Sequence, residues 1–102
     1  MKIINTSGKR KTAIARATLK EGKGRVRINS VPLEVYGSEI IRMKISEAIA
    51  LAPGALDNVD VDIDVSGGGV MGQAEAVRTA LGRGILNWTN DPHIKEVYLS
   101  YD

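Results

Sequence analysis

The segment Val59–Leu86, VDVDIDVSGGGVMGQAEAVRTALGRGIL, decides how this chain folds. Its first half alternates strictly, with Val59, Val61, Ile63 and Val65 on one side and Asp60, Asp62 and Asp64 on the other. A period of two describes a strand buried on one face only. After Gly67, Gly68 and Gly69 the apolar period becomes helical, through Val70, Ala74, Val77, Leu81, Ile85 and Trp88. The segment therefore predicts a strand, a glycine turn and a helix. The first amides of such a helix lack carbonyl partners and lie at the positive end of its dipole, which favours an anion.

Working outward, the N-terminal side is strongly basic. Lys2, Lys9, Arg10, Lys11, Arg16, Lys20, Lys23, Arg25 and Arg27 face Glu21 alone, whereas residues 28–102 carry five bases against eleven acids. The overall charge of +2 conceals this division, and such asymmetry points to one surface that meets a polyanion. Lys2–Ser7 reads as a first strand, and Gly8–Lys11 as an outward-facing loop or strand edge, since three consecutive cations resist burial. Thr12–Lys20 reads as a second strand, with Ala13, Ala15, Ala17 and Leu19 inward and Ile14, Arg16, Thr18 and Lys20 outward. Glu21–Gly24 then predicts a hairpin turn, returning as a third strand over Arg25–Asn29. The expected product is a β-ribbon with a cationic rim made by Arg16, Lys23, Arg25 and Arg27.

Ser38 is a suitable N-cap for a helix running to about Leu51, with Ile41, Ile45, Ala48 and Ala52 on its apolar side and Pro53–Gly54 ending it. Pro92 suits the start of a short last helix through Tyr98. Gly82 and Gly84 inside the long helix each cost ~1 kcal/mol against alanine, so they are expected to be contact points against the sheet. Trp88 is expected to plug the core at the helix end. One domain spanning residues 1–102 is the expected organisation.

The chain has no cysteine, which excludes disulfides and thiolate metal sites. It shows neither an apolar leader nor a membrane-length apolar run, so no membrane association and a cytoplasmic location are expected. Three chemical motifs nearly fit. Gly67-x4-Gly72 has P-loop spacing, but Gln73 and Ala74 stand where lysine and a hydroxyl are needed. Gly67-x-Gly69-x-x-Gly72 satisfies a dinucleotide fingerprint, with Asp91 about twenty residues on, but too little chain follows for the sheet that motif serves. Asp60, Asp62 and Asp64 start like a calcium loop, yet Val65 and Met71 replace the glycine and glutamate it requires. His93 is the only histidine. No catalytic residue, metal site or cofactor is therefore expected.

What is left is phosphate binding without chemistry. The basic region contains no aromatic residue on which a base would stack, so the target reads as folded or double-helical nucleic acid met through its backbone. Two rival readings are a small phosphate- or nucleotide-binding enzyme using the glycine turn, and an interaction domain whose acidic strand face recruits a basic protein.

Ser7–Arg16 (SGKRKTAIAR), Gly24–Asn29 (GRVRIN), Leu33–Tyr36 (LEVY) and Ser66–Arg78 (SGGGVMGQAEAVR) together resemble the ninth family of small-subunit ribosomal proteins, in that family's order and spacing. Ala52-Pro53-Gly54 looks like its archaeal and eukaryotic branch. The resemblance implies an α+β two-layer sandwich containing a β-α-β unit of left-handed crossover, as in the second domain of the fifth ribosomal protein. It implies a place in the head of the small ribosomal subunit, beside ribosomal RNA and neighbouring ribosomal proteins. The family's RNA-contacting opening falls on Gly8, Lys9, Arg10, Lys11 and Arg16, and its glycine turn and helix on Gly67, Gly68, Gly69, Gln73, Arg78 and Arg83. Family members continue into a basic C-terminal tail that reaches transfer RNA. The sequence ends at Asp102 without it, so a transfer-RNA contact is not carried over from the resemblance.

Overall fold

A computed structural model describes residues 2–101. Its elements are β1 (Ile3–Arg10), β2 (Ala13–Glu21), β3 (Val26–Ile28), β4 (Val31–Pro32), a 3₁₀ turn (Leu33–Val35), α1 (Glu39–Ala50), β5 (Val59–Ser66), α2 (Val70–Thr89) and α3 (Pro92–Tyr101). The strands form one sheet in the order β1-β2-β5-β3-β4. Only β3 and β5 run parallel, and α1 lies on the connection between them, which is the expected β-α-β unit. Helix α2 packs on β1, β2 and β5, and α1 packs on α2 with its buried side chains in the same core, giving the two-layer α+β arrangement.

The organising segment folds as its two periods dictate. Val59, Val61, Ile63 and Val65 are buried, as are Ala13, Ala15, Ala17 and Leu19 on the neighbouring strand. The alanines matter because they let α2 settle close to β1 and β2. Gly8 shows how close. A Cβ there would lie 2.6 Å from the Ala80 nitrogen, with the Ala76 carbonyl nearer still. Thr6 Oγ1 donates to the Ala80 carbonyl at 2.8 Å along the same seam. From α2, Ala74, Val77, Leu81 and Ile85 enter the core, and Ile41, Ile45 and Ala48 join from α1. Ser38 caps α1 as expected, its hydroxyl accepting the Ile41 amide.

Four expectations are corrected. The basic hairpin is not a ribbon: β5 inserts between β2 and β3, which stand two strand spacings apart, about 9.6 Å. Local turn chemistry was compatible with pairing, but burying the Val59–Val65 face against both neighbours puts β5 in the middle. Asn29 leaves β3 and sits with Ser30 in a turn where both residues have positive φ, 50° and 68°. Gly82 faces the Tyr98 ring of α3, where an added Cβ would lie 3.1 Å from the ring, and not the sheet, while Gly84 does meet the sheet at Leu19. Val70 is 71% exposed, because the first position of α2 projects beyond the sheet end.

Smaller differences concern lengths. β1 extends through Lys9 and Arg10, so the cations stand on a strand edge, and α3 runs three residues beyond Tyr98. Trp88 is half-buried at the helix end, with the Lys2 ammonium 4.5 Å above its ring.

Candidate nucleic-acid interface

The β1–β2 connection is a tight turn in which Arg10 pairs with Ala13 around Lys11 and Thr12. β5 runs antiparallel to β2 and ends at Ser66, opposite Ile14, so the glycine turn emerges beside that connection. Gly67 and Gly68 have φ of 79° and 64°, the left-handed region where a side chain is strained. A Cβ on Gly67 would also strike the Thr12 carbonyl, and one on Gly68 would lie 3.1 Å from the Ala13 amide. Glycine is thus what allows the two turns to touch.

Between them lies an open cleft of about 490 Å³, lined by Arg10, Lys11, Thr12, Gly68, Gly69 and the first turn of α2. Gly69 caps α2 without a side chain, so the amides of Val70, Met71 and Gly72 face outward at the positive end of the helix. Gln73, in the place of a P-loop lysine, donates its Nε2 to the Gly67 carbonyl at 3.0 Å and so braces the turn. Lys11 is exposed at the rim, Lys9 is exposed on the end of β1 opposite Ile14, and Arg10 is held by Glu75 at 2.6 Å. Lys11 has φ 55° without being glycine, a cost of about 1 kcal/mol that leaves its ammonium beside the cleft.

The structure thus gathers Lys9, Arg10, Lys11, Gly67, Gly68, Gly69 and Gln73 at one end of the sheet. Gly8 lies buried just behind them, where its role is to admit α2. The other expected residues are dispersed. On the open face of the sheet Arg16 stands opposite Asp64, Lys20 opposite Asp60 and Arg27 opposite Asp62. Lys23 and Arg25 lie past the far end of β2, about 27 Å from the glycine turn at ~3.4 Å per residue over nine residues. Their backbone amides both donate to Asp60 Oδ1, at 2.9 and 3.2 Å. Those two amides, helped by the charges of Arg25 and Lys20, hold the Asp60 carboxyl below its ordinary value of 3.8.

The helix-borne arginines are also occupied. Arg78 meets Glu47 at 3.7 Å between α1 and α2. Arg83 donates to the Ser7 carbonyl at 2.9 Å, which covers the free edge of β1. Sequence reading missed Thr12, Met71 and Glu75 around the cleft. Their adjacency to Lys11 and Gly69 was visible, but the contact between the two turns was not.

Among the described residues no cluster of three metal-ligating side chains occurs, and no helix is long and apolar enough to cross a membrane. A cationic turn packed on bare helix amides has the design of a surface that docks onto an anionic partner. The chain belongs to the ribosomal protein S9/S16 family, whose pattern matches residues 8–101. It is 63% identical over 102 residues to the small ribosomal subunit protein uS9 of Methanothrix thermoacetophila, covering all of this chain and 77% of that protein. The proteins of the same name in Methanococcus maripaludis strain C7 and Methanococcus vannielii are 55% and 51% identical, each over the whole chain and 76% of the relative.

Proposed function

We propose that this chain is a non-catalytic constituent of the head of the small ribosomal subunit, in the cytoplasm, beside ribosomal RNA and other ribosomal proteins. It acts as one docking domain that grips folded ribosomal RNA by its backbone phosphates. The grip is centred on Lys9, Arg10, Lys11 and the Gly67–Gly69 turn. One observation carries this reading: the most cationic turn and the glycine turn, far apart in sequence, share a single cleft at one end of the sheet. Phosphate contacts position a protein without reading bases, and they suit a site that has no exposed ring.

Filter binding to small-subunit head-domain RNA across a salt series tests this. About five phosphate contacts give a log–log slope near −4.5. A slope near zero contradicts the reading. The enzyme alternative draws no support from the family, and Gln73 is committed to bracing the turn.

A further inference from the structure

The cleft at the sheet end contains one group of the wrong sign for a phosphate. Glu75 lines it together with Arg10 and Lys11, and a carboxylate so placed repels a nucleic-acid backbone. Its contact shows what it does there. Glu75 Oε2 lies 2.6 Å from Arg10 Nε, joining the last residue of β1 to the second turn of α2. The two elements are close at this point, since a Cβ on Gly72 would lie 3.8 Å from the Arg10 carbonyl.

The atom that Glu75 meets is the informative part. A guanidinium carries five N–H donors in a fixed plane, one on Nε and four on the two terminal nitrogens. Glu75 approaches at Nε, the inner end, and Arg10 has no second ion-pair or hydrogen-bond partner among the described residues. The Arg10 side chain is 58% exposed, whereas that of Glu75 is 29% exposed. The outer end of the guanidinium thus stays open on a side chain whose inner end is tied down. Arginine binds phosphate through such a planar fork, and fixing a long side chain beforehand removes part of the ordering cost of binding.

We propose that Glu75 is a positioning residue: it clamps the inner end of the Arg10 guanidinium so that the outer end offers a pre-set fork to one phosphate of RNA in the cleft. The inference deepens the proposed RNA contact and rests on it. It gives Glu75 an effect on affinity opposite to the one its charge alone would have.

Filter binding of the full chain to head-domain RNA tests this by the sign of the effect. Glu75→Ala removes an anion from the cleft, so repulsion alone would give tighter binding. The clamp instead predicts binding weaker by about threefold to tenfold. Glu75→Gln keeps a carbonyl acceptor of the same reach and is expected to bind at least as well as the parent. In an Arg10→Ala background, Glu75→Ala is expected to cost no affinity, because the side chain it positions is gone. Unchanged or tighter binding by Glu75→Ala alone overturns the inference, and so does an equal loss in the Arg10→Ala background. A parent chain whose affinity has a salt slope near zero counts against the RNA reading instead.

Nitrogen-15 NMR of the arginine side chains in the unaltered chain decides the same point without a variant. On addition of head-domain RNA the Arg10 Nε–H is expected to keep its shift and slow exchange while the terminal nitrogens move. An Nε–H that loses its protection as RNA binds shows that Arg10 exchanges Glu75 for phosphate, and overturns the clamp.

Discussion

Arg16 and Asp64 stand directly opposite each other across the β2–β5 ladder. The same register sets Lys20 against Asp60, and the parallel β3–β5 pairing sets Arg27 against Asp62. The aspartates of β5 therefore balance the cations of the open sheet face. The surplus of positive charge is left at the β1–β2 turn. Acidic residues that look like a separate feature of the sequence thus decide where the basic surface lies.

Gly8→Ala is expected to destabilise the fold by about 2–4 kcal/mol, because the added methyl meets helix backbone that has no room to shift. Gly69→Ala, with nothing within 4 Å of the new methyl, is expected to change stability by less than ~0.5 kcal/mol. Urea denaturation of the two variants checks this. Equal losses contradict the close seam between β1 and α2.

Lys11→Gly separates stability from binding. Glycine accepts φ 55° freely, so stability is expected to hold or rise by up to ~1 kcal/mol. RNA affinity falls because the ammonium is gone. Paired melting and filter-binding measurements decide; a variant that binds RNA as well as the parent removes Lys11 from the interface.

The Asn29 side chain acts as a piece of strand, accepting the Val65 amide at 2.9 Å and donating to the Val65 carbonyl at 3.1 Å. Its φ of 50° is also one that asparagine tolerates well. Asn29→Ala is expected to cost about 2–3 kcal/mol in chemical denaturation, since both groups of Val65 lose partners. A loss below ~0.5 kcal/mol shows that water replaces the amide.

Asp60 gives the acid response a defined sign. Its folded-state value is depressed, so its contribution is fully present above the ordinary value of 3.8 and is lost as pH falls through the lower folded value. Asp60→Asn is expected to unfold at lower urea near neutral pH, with the difference from the parent shrinking below about pH 4. A difference that stays constant down to about pH 2 contradicts the Lys23 and Arg25 amides as its cause.

Much of this was legible in the sequence because periodicity reports burial. The alternation of Val59–Val65, the alanine face of Ala13–Ala17 and the Ser38 cap each specify a local structure that packing then kept. Strand order was not legible. Glu21–Gly24 has the chemistry of a hairpin turn, and nothing within it says that β5 will enter between its arms. For the same reason Arg25 and Arg27 read as members of the site, although their neighbours in space are Asp60 and Asp62. Family resemblance points to the RNA partner, while register and the meeting of the β1–β2 turn with the glycine turn give the proposed location.

The most direct test of that location compares two sets of charge removals in filter binding to head-domain ribosomal RNA across salt. Lys9→Ala, Arg10→Ala and Lys11→Ala together are expected to flatten the log–log slope by about 2–3 and to weaken binding strongly. Lys23→Ala with Arg25→Ala, at the far end of the sheet, is expected to leave the slope within ~0.5 of the parent. Equal effects from both sets, or a larger effect from the far pair, contradict the glycine-turn end as the RNA-facing surface.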